Sequence, residues 1–463
     1  MEMASENPES VGFLSRGCCW FTSFMKNLAS KLVLEPARTA RSLAQEDPRR
    51  IIHSIKVGLA IALVSLIYYF DPLYEGFGVS AMWAVMTVVV VFEFSVGATL
   101  GRCVNRGIGT FIGGALGVAA HRLASCFGSE IVEPIVLAAS IFIFAATGTF
   151  ARFFPKWKAR CDYGLLIFIL TFCLISVSGY RDDEVIDIAL TRLSTVMIGG
   201  SAALAICILL FPVWAGEDLH HLVADNIEKL GDFLEGFGDE YFKTLEDGNV
   251  RDSKALLEKY KSVVNSKTIE DNLVNFAKWE FRHGKFRFRH PWGEYQKIGG
   301  LIRECAFRLD SLNGYLKSEV QAPQEIREIF QESCQTMSSE SSHALKNMAR
   351  AIRTMTSSYV AVAKSHIAIA KSAADNLKSL LKTNSWQQTD LLQIIPVITV
   401  ASLLIEVVSS TVKIADSVHQ LASLARFKKI SEDDASKSDQ RNTERILRSP
   451  SIEGSHGLTI SVE

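Results

Sequence analysis

Between Ile52 and Trp214 the chain carries apolar runs at 52–70, 78–92, 96–120, 131–151, 163–178 and 185–212, separated only by short polar loops. A helix crosses ~30 Å of hydrocarbon in ~20 residues, and most of these runs reach or approach that length. The 78–92 run is short, and Phe92 and Phe94 extend it toward the interface. Nothing alternates with a period of two over successive ten-residue segments, which argues against a β-barrel. The spacing predicts an all-α membrane protein with six transmembrane helices packed into residues 52–214.

Composition agrees. The 463 residues are 48% hydrophobic and 21% charged, with mean hydropathy +0.18, too apolar for disorder and high for a wholly soluble chain. The formal net charge of −1 leaves no basic excess of the kind that marks a nucleic-acid binder, so no nucleic-acid partner is expected. Nine cysteines without a CxxC pair make neither a disulfide framework nor a zinc site, and no metal is expected.

Charge along the loops sets the orientation. Arg38, Arg41, Arg49 and Arg50 precede the first run, and the loop between the fourth and fifth carries Arg152, Lys156, Lys158 and Arg160. The odd loops hold Asp71 and Glu75, then Glu130 and Glu133, then Asp182, Asp183, Glu184 and Asp187. The positive-inside rule places both ends of the six-helix unit in the cytosol.

Residues 1–51 form a polar N-terminal segment without a charged stretch leading into an apolar core, unlike a cleaved secretory signal. Trp20, Phe24, Leu28 and Leu32 recur at four-residue spacing, a pattern that fits an interfacial helix and an ordinary packing helix alike. Cys18 and Cys19 just before it are candidate lipid attachment sites.

Arginines inside the apolar runs carry the functional signal. At ~100° per residue, Arg102, Arg106, Gly109, Gly113 and Gly117 share one stripe of the third helix, and Arg192, Thr195, Gly199 and Ala203 one stripe of the sixth. An arginine at the bilayer centre costs at least ~2.5 kcal/mol, so it faces a wet cavity, a partner charge or a substrate. For Arg102 and Arg106 the alternative is snorkelling to the interface. For Arg192 it is pairing with Asp187 or Asp162. Glycine stripes are also common glue between membrane helices. Against those readings stands a conduit lined by cations and left open by missing side chains, the arrangement by which pores favour anions. Glu93 is the candidate ion-pair partner for Arg102 or Arg106, against a carboxylate simply solvated at the interface.

After Trp214 the chain becomes amphipathic, with helical periodicity over 217–247, 252–281, 293–318 and 323–382. This predicts a helical cytosolic domain over 215–430. Its basic, aromatic stretch 282–292 suits anions or anionic headgroups better than nucleic acid. His283 and His290 lie there without the carboxylate or cysteine spacing of a metal site. Leu391–Val408 is apolar, but Gln393, Pro396 and Glu406 interrupt it, so it is expected in the core of the cytosolic bundle rather than as a seventh span. Residues 431–463 are Ser-rich and charged and are expected to be a disordered tail. The chain contains no phosphate-binding loop, nucleophile elbow or HExxH motif, so neither enzymatic activity nor a cofactor is expected.

Several strings together resemble the plant aluminium-activated malate transporters. They are Met82-Trp83 through Glu93 to Gly101, Asn105-Arg106-Gly107, Arg152-Phe-Phe-Pro155, Asp162-Tyr163-Gly164 with Ile167–Phe172, and Phe211-Pro-Val-Trp214-Ala-Gly216. The resemblance covers the membrane half and continues beyond it. It implies a dimeric, six-span anion channel with a helical cytosolic domain, passing malate and inorganic anions through the lipid bilayer. It also implies that Arg106 and Arg192 line the pore on the third and sixth helices, with Arg102 at a position often basic. Glu93, Gly109, Gly113, Thr195 and Gly199 would support that pore.

One departure is Trp279-Glu280-Phe281, where the family usually has Trp-Glu-Pro; losing the proline frees φ and restores a backbone donor. Aluminium activation belongs to only some members. Glu75, Asp183 and Asp187 are candidate external cation sensors, although acidic outer loops also follow from topology alone. The short N-terminal segment favours the plasma membrane over the vacuolar membrane. Two other functional readings remain, a membrane-anchored helical scaffold and a coupled organic-anion exporter.

Overall fold

The computed structural model describes residues 35–69, 81–127, 131–178, 185–242, 259–287, 289–316, 322–382 and 391–429. Trp20, Phe24, Leu28, Leu32, the Cys18-Cys19 pair, Glu75, Asp182, Asp183, Glu184 and the 431–463 tail lie outside them. The described residues are helical, apart from turns and two isolated β-bridges, and divide into two compact units, 1–213 and 214–463.

Unit 1 comprises α1 (Glu35–Glu46), α2 (Arg49–Tyr69), α3 (Met82–Val91), α4 (Val96–Ser125), α5 (Val132–Ala151), α6 (Pro155–Ser178) and α7 (Val185–Leu209). Its apolar side chains point outward as well as inward: Phe111, Ile135, Phe142, Phe150 and Leu170 are more than half exposed. Water does not tolerate such a surface, and hydrocarbon does. Helix α2 and helices α5, α6 and α7 contain stretches long and apolar enough to cross a membrane, and so does a fifth helix in unit 2.

The other two apolar runs behave differently. Helix α3 has only ten residues, about 15 Å of rise, because Phe92–Ser95 leaves the helical conformation. Helix α4 has 30 residues, about 45 Å, and its arginines and glycines dilute its apolar character.

The turn between α3 and α4 is built by short polar side chains. Ser95 caps α4 by accepting from Ala98 N at 3.3 Å, and Thr99 Oγ1 accepts from Glu93 N at 3.0 Å. At the same end of unit 1, where Val96 N donates to Val213 O at 2.9 Å, buried Lys56 on α2 donates to the Phe211 carbonyl at 2.6 Å, placing a cation where α7 ends.

Unit 2 comprises α8 (Ala215–Phe242), α9 (Lys261–Val264), α10 (Lys267–Ala277), α11 (Trp292–Leu316), α12 (Gln324–Thr354), α13 (Ser358–Lys382) and α14 (Leu391–Leu424). Two sequence expectations are corrected here. The 252–281 helix is two short ones among the described residues, broken at Asn265. The 217–247 helix is described from Ala215 to Phe242, and 243–247 lie outside the described residues. The 323–382 helix is interrupted at Met355, whose left-handed φ of 53° reverses the chain into α13.

Helix α14 extends well past Val408, to Leu424. It is the fifth helix long and apolar enough to cross a membrane, yet Ile394, Val397, Val400, Ala401, Leu404 and Val407 are buried in the core of unit 2. Glu406 on its outer face accepts from Arg308 Nε at 3.0 Å. An apolar helix wrapped by amphipathic neighbours needs no lipid.

The first turn of α8 is held by a carboxylate. Glu280 accepts from Ala215 N at 2.6 Å and from Gly216 N at 3.0 Å, placing negative charge on free donors at a helix start. Phe281 packs edge-on against Trp214, which stacks flat on His283 at 3.9 Å. Both contacts lie within unit 2.

Candidate functional site: arginines inside the helix bundle

Helix α4 packs against α6 on one side and α7 on the other, and α7 packs against α3. The glycine stripes make those approaches close. A Cβ at Gly109 would stand 2.5 Å from the Gly164 carbonyl oxygen, and one at Gly113 2.7 Å from that of Phe168, both on α6. On α7, a Cβ at Gly199 would collide with the Ala84 carbonyl of α3. The missing side chains are therefore filled by neighbouring backbone and leave no open lumen at these positions. Thr195 is buried and donates to Thr191 O at 2.8 Å, so its hydroxyl is engaged by its own helix.

Close packing sets the three arginines in distinct surroundings. Arg102, nearest the start of α4, is half exposed and pairs with Glu93 at 2.5 Å, while its Nη1 donates to Val90 O at 3.1 Å. One turn on, Arg106 is only 7% exposed. Its Nη1 donates to the Tyr163 hydroxyl at 3.0 Å, and its Nε is buried without a hydrogen-bond partner among the described residues. Arg192 is 8% exposed and lies over the Trp83 ring, 3.5 Å from the centroid. It makes no ion pair among the described residues. Arg106 is near enough for the two charges to repel one another.

The partner type decides what each arginine can do. A carboxylate at contact distance cancels a guanidinium's charge, as Glu93 does for Arg102. A phenol oxygen or an aromatic face holds a guanidinium in place without cancelling it, and a stacked ring leaves the in-plane N–H donors free. Arg106 and Arg192 are held in that second way. The pairings of Arg192 with Asp187 or Asp162 do not occur: Asp162 takes both Nε and Nη2 of Arg152, at 2.7 and 3.1 Å, and Asp187 is exposed at the start of α7. A cavity of about 340 Å³ between α4 and α7, lined by Cys103, Val104, Gly107, Met197 and Gly200, has no charged side chain on its wall among the described residues.

Trp83 and Tyr163 are the residues the sequence analysis did not single out. Both stand in the motif strings quoted above. Nothing local to either signals that it faces an arginine on another helix.

Elsewhere, His290 Nε2 lies 3.3 Å and His220 Nδ1 2.8 Å from the Tyr295 hydroxyl, so the two imidazoles share one phenol inside unit 2. Burial pushes the pKa of both histidines down to about 4.

Described residues that are almost wholly helical, with long apolar helices whose apolar faces point outward, mark a helical membrane protein. The chain belongs to the aluminium activated malate transporter family, whose pattern it matches over residues 41–388. It is 52% identical to aluminum-activated malate transporter 2 of Arabidopsis thaliana over 399 residues, 86% of this chain and 79% of that protein. It is 48% identical to aluminum-activated malate transporter 1 of the same plant over 436 residues, 92% and 88% of the two chains. With aluminum-activated malate transporter 1 of Triticum aestivum it shares 46% identity over 400 residues, 85% and 86%.

Proposed function

We propose that the protein is a passive anion channel that carries malate and inorganic anions across a plant membrane. The observation that carries this reading is the pair of buried guanidiniums, Arg106 and Arg192, held by Tyr163 and Trp83 rather than by carboxylates. Two cations in a low-dielectric bundle attract an anion strongly, and weak binding shared between adjacent sites lets it leave again. The names of the relatives, malate transporters at 46–52% identity, support malate as one such anion. In this reading the chain crosses the membrane six times over residues 52–214, α3 forming only part of its crossing, with both ends of unit 1 and all of unit 2 in the cytosol. Two copies form the channel, Arg102 with Glu93 stands at the cytosolic mouth, and the membrane potential drives anions outward across the plasma membrane. Gly109, Gly113 and Gly199 support the pore by holding the arginine-bearing helices close to their neighbours.

Patch-clamp of the expressed chain with malate inside tests the proposal. A malate-dependent current reversing at the anion equilibrium potential is the expected result. Absence of current at all voltages leaves the scaffold reading, and a reversal potential that follows a second ion leaves the exporter. External Al³⁺ with Asp187→Asn, Asp183→Asn and Glu75→Gln examines the cation-sensing role separately.

A further inference from the structure

Several cations in the described part of unit 2 meet carboxylates: Arg308 with Glu304 and Glu406, Arg353 with Asp225 and Glu228, Lys346 with Asp232 and Glu235. At the end of α14 a group of cations stands together around one cavity. Where α14 ends, the chain turns through Arg426, buries Phe427 and lays Lys428 beside the start of α13. Ser357 donates to the Lys428 carbonyl from its backbone N at 2.9 Å and from its hydroxyl at 3.1 Å, and Lys428 N donates to Met355 O at 2.9 Å. Arg426 sits at φ 55°, a left-handed conformation that a side chain adopts at a cost, so it persists because these surroundings impose it.

The turn walls a cavity of about 540 Å³, a volume typical of small-molecule sites. Lys364, His419, Arg426 and Lys429 stand on its wall, with Val360 and Phe427 among the apolar residues beneath them. Among the described residues no carboxylate lines it, and Lys364, Arg426 and Lys429 have no ion-pair partner there. Three such cations and an apolar floor call for a ligand with concentrated negative charge and a less polar body. A phosphoryl group carries about −1.5 to −2 and several acceptor oxygens, more charge per centre than a carboxylate offers.

We propose that this cavity binds a phosphoryl-bearing organic anion, its phosphoryl oxygens on Lys364, Arg426 and Lys429 and its body against Val360 and Phe427. The ligand is a soluble phosphate ester or the headgroup of a phosphorylated lipid; both present the same chemistry. The inference stands independently of the transport reading, because its readout is binding.

Pyrophosphate is titrated calorimetrically into the full-length chain in nanodiscs of neutral phosphatidylcholine. Binding is expected, weakened about tenfold by Lys364→Gln or by Lys429→Gln. Arg426→Gly removes the guanidinium while glycine accepts the left-handed turn, so it should weaken binding equally with the melting temperature preserved. Repeating the titration in discs containing phosphatidylinositol bisphosphate separates the sources: weakened pyrophosphate binding assigns the headgroup, unchanged binding the soluble ester. No binding in neutral discs, affinity unchanged in all three variants, or displacement by malate at concentrations comparable to pyrophosphate overturns the proposal.

Discussion

The guanidinium of Arg192 rests 3.5 Å from the centre of the Trp83 ring, so α7 presents its buried cation to α3 through an aromatic face rather than a counter-ion. A desolvated contact of this kind is worth about 2 kcal/mol, or about a thirtyfold preference for the held rotamer. Orientation is thereby gained with the charge retained.

Trp83→Leu should release Arg192 and reduce single-channel anion conductance several-fold, and Trp83→Phe, which keeps a weaker ring face, should fall between. Conductance equal to that of the unaltered protein in both variants would show that the stack has no part in conduction.

Tyr163→Phe removes the one hydrogen bond described for Arg106, a bond to a charged group worth about 1.5–3 kcal/mol. The expected result is lower conductance with anion selectivity kept, since the charge remains. Arg106→Ala should lower both. Selectivity measured from reversal potentials in mixed chloride and gluconate distinguishes the two variants.

Glu93→Gln frees Arg102 from the carboxylate 2.5 Å away and adds a net positive charge beside α4. Anion current at low ionic strength should rise and then converge with that of the unaltered protein as salt screens the field. A current that falls at every salt concentration would mean Glu93 acts by holding structure instead.

Gly113→Ala drives a methyl group against the Phe168 backbone at 2.7 Å, and overpacking of this kind costs about 1–3 kcal/mol. Gly58→Ala meets nothing within 4 Å and is the matched control. Thermal melts in detergent should show a lower transition for the first variant only.

Unit 2 should lose stability in mild acid. His220 and His290 keep pKa values near 4 because burial penalises their charged form, whereas an unfolded chain takes up these protons at about 6.5. Their contribution is complete above pH 6.5 and is lost as pH falls toward 4, on the order of 1 kcal/mol per pH unit for each histidine. Melting temperature followed from pH 7.5 to 5 should decline, and His220→Gln should flatten the decline.

Much of the fold was legible in the sequence because the membrane acts on each helix separately. Hydrocarbon demands length and apolarity of a single segment, so α2, α5, α6 and α7 stand where the apolar runs predict them. Arg106 and Arg192 were conspicuous for the same reason, as charges in segments that should have none. The glycine stripes were equally visible, but their two uses, open conduit or close contact, produce the same pattern along one helix.

What depended on tertiary structure was always the identity of a partner. Arg102 received Glu93 from a turn that Thr99 and Ser95 fold back, Asp162 was taken by Arg152, and Arg106 and Arg192 were left to a phenol and an indole on other helices. Helix α14 is apolar enough for lipid; Gln393, Pro396 and Glu406 already pointed to a protein core, and the surrounding helices supply that core. A residue's own chemistry determines that it must be solvated, paired or buried. Which of these happens is set by the helix that packs against it, and helix packing joins residues far apart in the chain.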